Sequence, residues 1–367
     1  MFIIASVVAL VAVIVIAVTV GVVVSKNNNS KPKSLSTSSN GGSGSTSTSG
    51  GSSSSPSNSN DPSNFQKDSR LKKSLYGLAY TPEGSLPDYG CSSTLGKFSR
   101  TRTKLMSQLT TRIRLYGADC NQTALVLEAI KQTKVDMQVF LGNFMVEGDN
   151  AAYERQRDVI KNAIQTYGVD HIAGITVGNE FMLNYVTGHN IQDVNSAAAD
   201  EGAAILTASI TDTRSMLSSL NLSKSIPVGN SDAGSYFNTK VLQAVDYGLS
   251  NVHAWFANTT IDAAAGWVNT FFQETNVAPA ALLSNKPKMY IAETGWPSAS
   301  SDVSNANNGA SDASVANLQK FLDTFVCQAN SGGIPYFYFE YFDEEWKDKK
   351  YGARTLKDIK IPDCPSP

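Results

Sequence analysis

Two glutamates end apolar runs of the kind that form buried strands. Glu180 closes the run Ile175-Thr-Val-Gly-Asn-Glu180, and Glu293 closes the run Met289-Tyr-Ile-Ala-Glu293. Two convergent carboxylates suit glycoside hydrolysis, because one can protonate the leaving oxygen while the other attacks the anomeric carbon or activates water. A separation of about 5 Å favours attack with retention, whereas roughly 6.5–9.5 Å favours inversion. The alternative for each glutamate is a solvated or helix-capping residue.

Other chemistries have no matching pattern in the sequence. The three histidines, His171, His189 and His253, lack metal-ligand spacing, and neither a Walker loop nor a GxSxG motif occurs. We therefore expect no metal and no cofactor. The formal net charge of -2 gives no broad basic field, so nucleic acid is not an expected partner.

The globular part alternates short apolar runs with longer segments of helical spacing. The apolar runs are Leu75–Tyr80, Arg112–Tyr116, Met137–Leu141, Ile172–Val177, Ile226–Val228, Val252–Phe256, Met289–Ala292 and Tyr336–Phe339. The helical segments include Ala124–Gln132, Tyr153–Tyr167, Ser196–Leu220 and Val315–Ala329. This alternation predicts parallel βαβ units and an α/β fold, the (β/α)8 TIM barrel. A doubly wound sheet is the alternative, but the Gly-rich turn expected after its first strand is absent.

A barrel of this kind would bring the two glutamates together. Glu180 ends the fourth predicted strand and Glu293 ends the seventh, on nearly opposite sides of the ring. Barrel enzymes carry their chemistry at the carboxyl ends of the strands. We therefore expect both side chains to converge over the same mouth.

The chain divides into three zones of different composition. Residues 1–25 are almost wholly apolar, which favours a transmembrane anchor over a cleaved signal peptide. Residues 26–70 are rich in Ser, Gly and Asn and are predicted to form a disordered linker. Residues 71–367 are predicted to form the catalytic barrel. This order predicts a single-pass type II membrane protein with the barrel outside the cell, or a secreted protein.

The cysteines and glycosylation sequons fit an oxidising compartment. None of the four cysteines has CxxC spacing. The pairings of shortest loop are Cys91 with Cys120 and Cys327 with Cys364. Candidate glycosylation sites are Asn28, Asn121, Asn221 and Asn258.

Four motifs resemble those of glycoside hydrolase family 17, the β-1,3-glucanases. They are Val177-Gly-Asn-Glu180, Ala292-Glu-Thr-Gly-Trp-Pro-Ser298, Arg114-Leu-Tyr-Gly117 and Phe342-Asp-Glu-Glu-Trp-Lys347. The globular part is most similar to the fungal, membrane-anchored endo-β-1,3-glucanases. The resemblance implies retention, with Glu180 as acid/base, Glu293 as nucleophile and Asn179 at the sugar 2-hydroxyl.

Further substrate contacts are expected around this pair. His253 and Trp255 share one face of the predicted sixth strand, and Trp255 and Trp296 could stack on glucose rings. Core packing is the alternative for each of these side chains. Tyr76 and Tyr116 are predicted at the ends of strands one and two, where they could line the cleft. The remaining predicted contacts are Asn143, after strand three, and Glu344 and Lys347, after strand eight.

These observations predict endo-hydrolysis of β-1,3-glucan by a monomer facing the cell wall. A β-1,3-glucanosyltransferase is the alternative with the same chemistry, since a sugar instead of water would then resolve the intermediate. A non-catalytic glucan-binding wall protein is the alternative from another class. Retention of both glutamates favours an enzyme.

Overall fold

Eight parallel strands form a closed barrel in which neighbours pair in chain order and β1 also pairs with β8. The computed structural model describes residues 61–95, 100–300, 303–340, 359–365 and 367. The strands are β1 (Gly77–Ala79), β2 (Arg112–Arg114), β3 (Gln138–Asn143), β4 (Ile172–Asn179), β5 (Val228–Ala233), β6 (Tyr247–Asn251), β7 (Lys288–Thr294) and β8 (Tyr336–Tyr338). The predicted (β/α)8 barrel is confirmed.

Helices alternate with the strands along the chain. Those described are α1 (Arg100–Met106), α2 (Gln122–Thr133), α3 (Asn150–Tyr167), α4 (Phe181–Gly188), α5 (Ala197–Ser218), α6 (Thr239–Ala244), α7 (Ile261–Phe271), α8 (Ala278–Ala281) and α9 (Val315–Ser331). The side chains of Asp149, Ser196 and Ser314 cap α3, α5 and α9 by accepting backbone N–H groups. All four predicted helical segments are helices.

Aromatic rings pack inside the barrel. Phe140 makes edge-on contacts with Tyr247, Tyr290 and Phe337, with ring centroids 5.4, 5.6 and 5.3 Å apart. These rings belong to a small hydrophobic cluster of their own. The larger hydrophobic core, which includes the residues between the strands and the helices, is separate from it. Because the interior is packed, the barrel is not a pore, and a ligand can reach it only at its surface.

The sixth strand lies earlier in the chain than predicted. The predicted run was Val252–Phe256, but β6 spans Tyr247–Asn251, and Ala254–Ala257 form a 3-10 turn. Glycine and serine lower the strand propensity of the true β6, yet neighbouring strands pair with it on both sides. His253 and Trp255 therefore do not share one face of a strand, and that prediction was wrong.

A register shift turns β7 close to its carboxyl end. Between the pairs Ser250–Ile291 and Asn251–Glu293, β6 advances by one residue and β7 by two. Strict alternation would give Glu293 the orientation of Ile291, which packs in the outer core. The extra residue re-aims Glu293 toward the interior of the barrel mouth.

An equivalent shift occurs in β4 just before the other glutamate. Between the pairs Thr176–Gly229 and Asn179–Ser231, β4 advances by three residues and β5 by two. Gly178 lies at this shift with a φ of +81°, a conformation that L side chains rarely adopt. The glycine of the Val-Gly-Asn-Glu motif therefore has a backbone role.

Both predicted disulfides are confirmed. Cys91 pairs with Cys120, and Cys327 pairs with Cys364. The second bridge ties the segment 359–365 to α9. In the same region the hydroxyl of Ser74 donates to the carbonyl of Pro362 at 2.7 Å, so this segment lies against the start of the barrel.

The residues that the structure describes begin at residue 61, ahead of the predicted boundary at residue 71. Phe65 packs against the core, and the backbone N–H of Asp68 donates to the side chain of Gln108 at 2.7 Å. Two residues of the predicted linker, Phe65 and Asp68, therefore contact the barrel. Within the ranges that the structure covers, no helix is long and apolar enough to cross a bilayer. The predicted anchor at 1–25 and most of the linker lie outside those ranges.

Candidate active site

Glu293 is a buried carboxylate with a donor at each oxygen. Its exposed fraction is 7%. Arg114 Nη1 donates to Oε1 at 3.0 Å, and His253 Nε2 lies 3.2 Å from Oε2. Burial opposes ionisation, but the His253 hydrogen bond and the charge of Arg114 outweigh it and lower the pKa of Glu293 to about 2. This side chain is an anion across the ordinary pH range.

Arg114 connects the nucleophile candidate to the neighbouring strands. Its side chain is 1% exposed, and Nη1 also donates to the carbonyl of Ala292 at 3.1 Å. The second guanidinium nitrogen, Nη2, donates to Asn179 Oδ1 at 2.6 Å and to Ser231 Oγ at 2.7 Å. The planar fork of arginine can serve both sides at once, which a lysine could not.

Glu180 lies where β4 turns into α4. Its φ of +55° is in the left-handed region, which is uncommon for a residue other than glycine. Asn251 Nδ2 donates to Oε1 at 2.9 Å. Burial, followed by the negative charge of Glu293, raises the pKa of Glu180 above its usual value. This side chain therefore retains its proton to higher pH than an exposed glutamate.

The two carboxylates form one site with opposite protonation preferences. Asn251 contacts Glu180, and Asn179 contacts both Asn251 (3.5 Å) and Arg114, which in turn contacts Glu293. After burial, the charge of Glu293 is the largest contribution that raises the pKa of Glu180. A proton donor and an anion held over one barrel mouth are the arrangement that acid-assisted displacement at a sugar requires.

The amide of Asn179 is oriented by its neighbours. Its Oδ1 accepts hydrogen bonds from Arg114 Nη2 at 2.6 Å and from Ser231 Oγ at 3.2 Å. Because arginine can only donate, the oxygen of the amide must face it. The NH2 group then faces the other way and makes no hydrogen bond within the described residues. It is available to donate to a sugar hydroxyl.

Asp232 holds the start of the helix that follows Glu180. Its side chain is fully buried, and its oxygens accept the backbone N–H groups of Met182 at 2.8 Å, Leu183 at 3.2 Å and Ala233 at 2.9 Å. Two of these donors, the N–H groups of Met182 and Leu183, belong to the first turn of α4. N–H groups in the first turn of a helix have no acceptor within the helix itself. Asp232 therefore acts on the site as a positioning residue.

Tyr116 and His253 both lie beside Glu293, and their predicted contact with substrate stays a prediction. The Tyr116 ring lies 4.4 Å from the guanidinium carbon of Arg114. The Tyr116 hydroxyl is buried and has no hydrogen bond of ordinary geometry. Burial raises the pKa of Tyr116, and the nearby negative charge of Glu293 raises it further. Trp255 is half-buried and packs edge-on against Trp296, with centroids 5.2 Å apart.

Three predicted substrate contacts lie in positions that do not favour a sugar contact. Trp296 is 4% exposed, and its indole Nε1 donates to the carbonyl of Asp312 at 3.1 Å, so its ring offers little free face to a sugar. Tyr76 precedes β1 at the amino-terminal end of the barrel, opposite the mouth. Asn143 is 1% exposed and donates to the carbonyl of Tyr153 in α3.

Several predicted residues stay predictions. Glu344, Lys347 and Asn28 lie outside the described ranges. The sequon asparagines Asn121, Asn221 and Asn258 are exposed, which leaves each of them accessible to a glycosyl group. Among the described residues, no group of three or more metal-ligating side chains occurs.

Four residues of the site were not proposed as site residues from the sequence: Arg114, Ser231, Asp232 and Asn251. Arg114 was noted only as part of a motif. Ser231 and Asn251 follow from strand register, because Ser231 pairs with Asn179 and Asn251 pairs with Glu293. That register depends on the two shifts, which have no strong sequence signal apart from Gly178.

Comparison with known proteins decides the family. A family model described as the BtgE/BtgC glycoside hydrolase domain matches residues 77–354, a span that includes all eight strands and both glutamates. The chain belongs to this family. The glycoside hydrolase family predicted from the sequence is therefore confirmed. A curated relative of this BtgE/BtgC domain from Aspergillus flavus, named "Probable glucan endo-1,3-beta-glucosidase btgC", is 33% identical over 317 residues.

The match covers 80% of this chain but 44% of the Aspergillus flavus protein, so the chain spans less than half the length of that relative. Two solved structures share the fold of the BtgE/BtgC domain. A glycoside hydrolase family 17 β-1,3-glucanosyltransferase from Rhizomucor miehei, with laminaritriose bound to an active-site mutant, has a TM-score of 0.61 and 22% identity over 79% of this chain and 99% of its own. An endo-laminarinase from Formosa has a TM-score of 0.59 and 18% identity over 79% and 83%.

Proposed function

We propose that the chain cleaves β-1,3-glucan within the polymer by a retaining double displacement. The observation that carries the proposal is a pair of buried, linked carboxylates whose pKa values are shifted in opposite directions, downward for Glu293 and upward for Glu180. The family supports a glycoside hydrolase, and relatives named for β-1,3-glucan support the substrate.

The first step uses both glutamates on one bond. A Glu293 oxygen bonds to the anomeric carbon as the C–O bond to the leaving chain breaks, and Glu180 gives its proton to the leaving oxygen. Asn179 donates its NH2 group to the 2-hydroxyl of the same sugar. Arg114 stabilises the ionised nucleophile before attack and receives the displaced carboxylate after the second step.

The second step reverses the roles at the same carbon. Glu180, now ionised, accepts a proton from water while the water oxygen bonds to the anomeric carbon, and the bond to Glu293 breaks. Two inversions give net retention. Substrate, water and the side chains of the protein account for every atom and proton in the two steps.

Product analysis on laminarihexaose tests this proposal. The wild-type protein is expected to give shorter oligosaccharides, while Glu180→Gln and Glu293→Gln are each expected to lose at least about a thousandfold in rate, as groups of this type do. Glu154→Gln, an exposed change in α3, is the matched control and should retain activity. Longer products would indicate a glucanosyltransferase, and an unchanged substrate with folded wild-type protein would indicate a glucan-binding protein.

We also propose that the barrel works outside the cell, tethered through the predicted anchor and spacer. Both disulfides of the barrel support an oxidising compartment. A tag on the globular part should be found in the membrane fraction and should be accessible to protease added to intact cells. Recovery of the tag solely in the soluble intracellular fraction would contradict this placement.

A further inference from the structure

Phe256 exposes an aromatic ring beside the site, and neither catalytic step uses it. It lies in the 3-10 turn Ala254–Ala257 after β6, and 60% of the residue is exposed. The ring is edge-on to the His253 imidazole, with centroids 5.7 Å apart. Because His253 contacts Glu293 at 3.2 Å, the exposed ring is two contacts away from the nucleophile.

The turn that carries Phe256 is fixed by a neighbouring loop. Asn308 Nδ2 donates to the carbonyls of Trp255 at 3.2 Å and Thr259 at 3.1 Å, on either side of Phe256. Asn308 Oδ1 in turn accepts the backbone N–H of Ser311 at 2.7 Å. The Trp255 ring packs against the core. The fold therefore holds Phe256 in place while leaving its ring uncovered.

We propose that Phe256 is the stacking platform for a glucosyl unit next to the one that reacts at Glu293. The proposal rests on the proposed function, and it replaces the buried Trp296 as the platform expected from the sequence. The C–H faces of a β-glucosyl ring are apolar and flat enough to pack on an aromatic face. A rigid turn lowers the entropy lost when the sugar binds.

Binding can be measured without turnover in a Glu293→Gln background. Titration calorimetry with laminarihexaose is expected to show an affinity about tenfold lower when Phe256→Ala is added, the effect of about 1.4 kcal/mol. Phe256→Tyr should restore the affinity, because it keeps the planar face. Phe256→Leu should not, because it keeps apolar area without a ring. Leu282→Ala, at the most exposed leucine described, is the matched control and should bind like the Glu293→Gln protein.

The outcomes separate this proposal from the proposed function. Laminarihexaose binding that is unchanged by Phe256→Ala would overturn the platform and leave the catalytic proposal standing. Equal affinities for the Leu and Tyr variants would show that Phe256 contributes only apolar area, which also overturns stacking. No laminarihexaose binding by folded Glu293→Gln protein would overturn both proposals.

Discussion

Replacing Arg114 by methionine tests the buried ion pair at the centre of the site. The change removes four hydrogen bonds, to Glu293, Ala292, Asn179 and Ser231, from a side chain that is 1% exposed. Glu293 would stay buried with His253 as its remaining close donor. Breaking a buried pair by removing one partner costs about 3–5 kcal/mol, because an uncompensated charge is left inside.

The pKa of Glu293 gives a second estimate of the energy in this ion pair. Folding lowers the pKa of Glu293 from 4.5 to about 2, and each pKa unit corresponds to about 1.4 kcal/mol. The groups around Glu293 therefore stabilise its ionised form by about 3 kcal/mol in total. We expect Arg114→Met to lower the free energy of unfolding, measured by urea denaturation at pH 7, by about 3–5 kcal/mol.

A double-mutant cycle and a surface arginine make this test specific. Adding Glu293→Gln to Arg114→Met removes the unpaired charge and should recover part of the lost stability, with a coupling of about 2 kcal/mol or more. Arg155 makes a two-point ion pair with Asp119 on the surface, at 2.8 and 2.9 Å, and Arg155→Met should cost about 1 kcal/mol or less. Equal costs for the two arginines, or additive effects within about 0.5 kcal/mol, would refute the reasoning.

Three further predictions follow from the same contacts. Because folding lowers the pKa of Glu293, its contribution to stability is complete above the unfolded value of 4.5 and is lost as pH falls toward 2; denaturation of Glu293→Gln should lack this loss of about 3 kcal/mol, and an unchanged pH dependence would contradict it. His253→Ala should raise the pKa of Glu293, so the acidic limb of the pH profile of kcat/KM should move to higher pH, whereas an unmoved limb would assign the lowered pKa to other groups. Asp232→Ala leaves backbone N–H groups at the start of α4 without acceptors and should cost about 3 kcal/mol in urea denaturation, while a cost below about 1 kcal/mol would show that water replaces the carboxylate.

Strands of apolar sequence could be predicted, whereas strands of polar sequence could not. The runs that became β4 and β7 are rich in β-branched and aromatic residues, which mark buried strands. Strand β5, in contrast, reads Val-Gly-Asn-Ser-Asp-Ala. It is a strand because neighbouring strands pair with it on both sides. Its Ser231 side chain binds Arg114, and its Asp232 side chain binds the start of α4.

The two glutamates proposed as the catalytic pair could be picked out from the sequence, but the side chains that shift their pKa values could not. Glu180 and Glu293 stand out because each ends an apolar run. Arg114 and Asn251 join them only through the closed barrel and its two register shifts, which no local pattern specifies. Trp296 is the opposite case. Its place beside a motif led to the prediction of a sugar contact, whereas Phe321 of α9 stacks on its ring.

Covalent labelling tests the central claim most directly. The protein would be incubated with a 2-deoxy-2-fluoro-β-laminaribiosyl fluoride, which slows the second displacement, and the digested protein would be analysed by mass spectrometry. A retaining mechanism with the assigned roles predicts a glycosyl adduct on the peptide that contains Glu293, and no adduct in Glu293→Gln. An adduct on Glu180, or turnover of laminarihexaose with inversion and no adduct, would contradict the account.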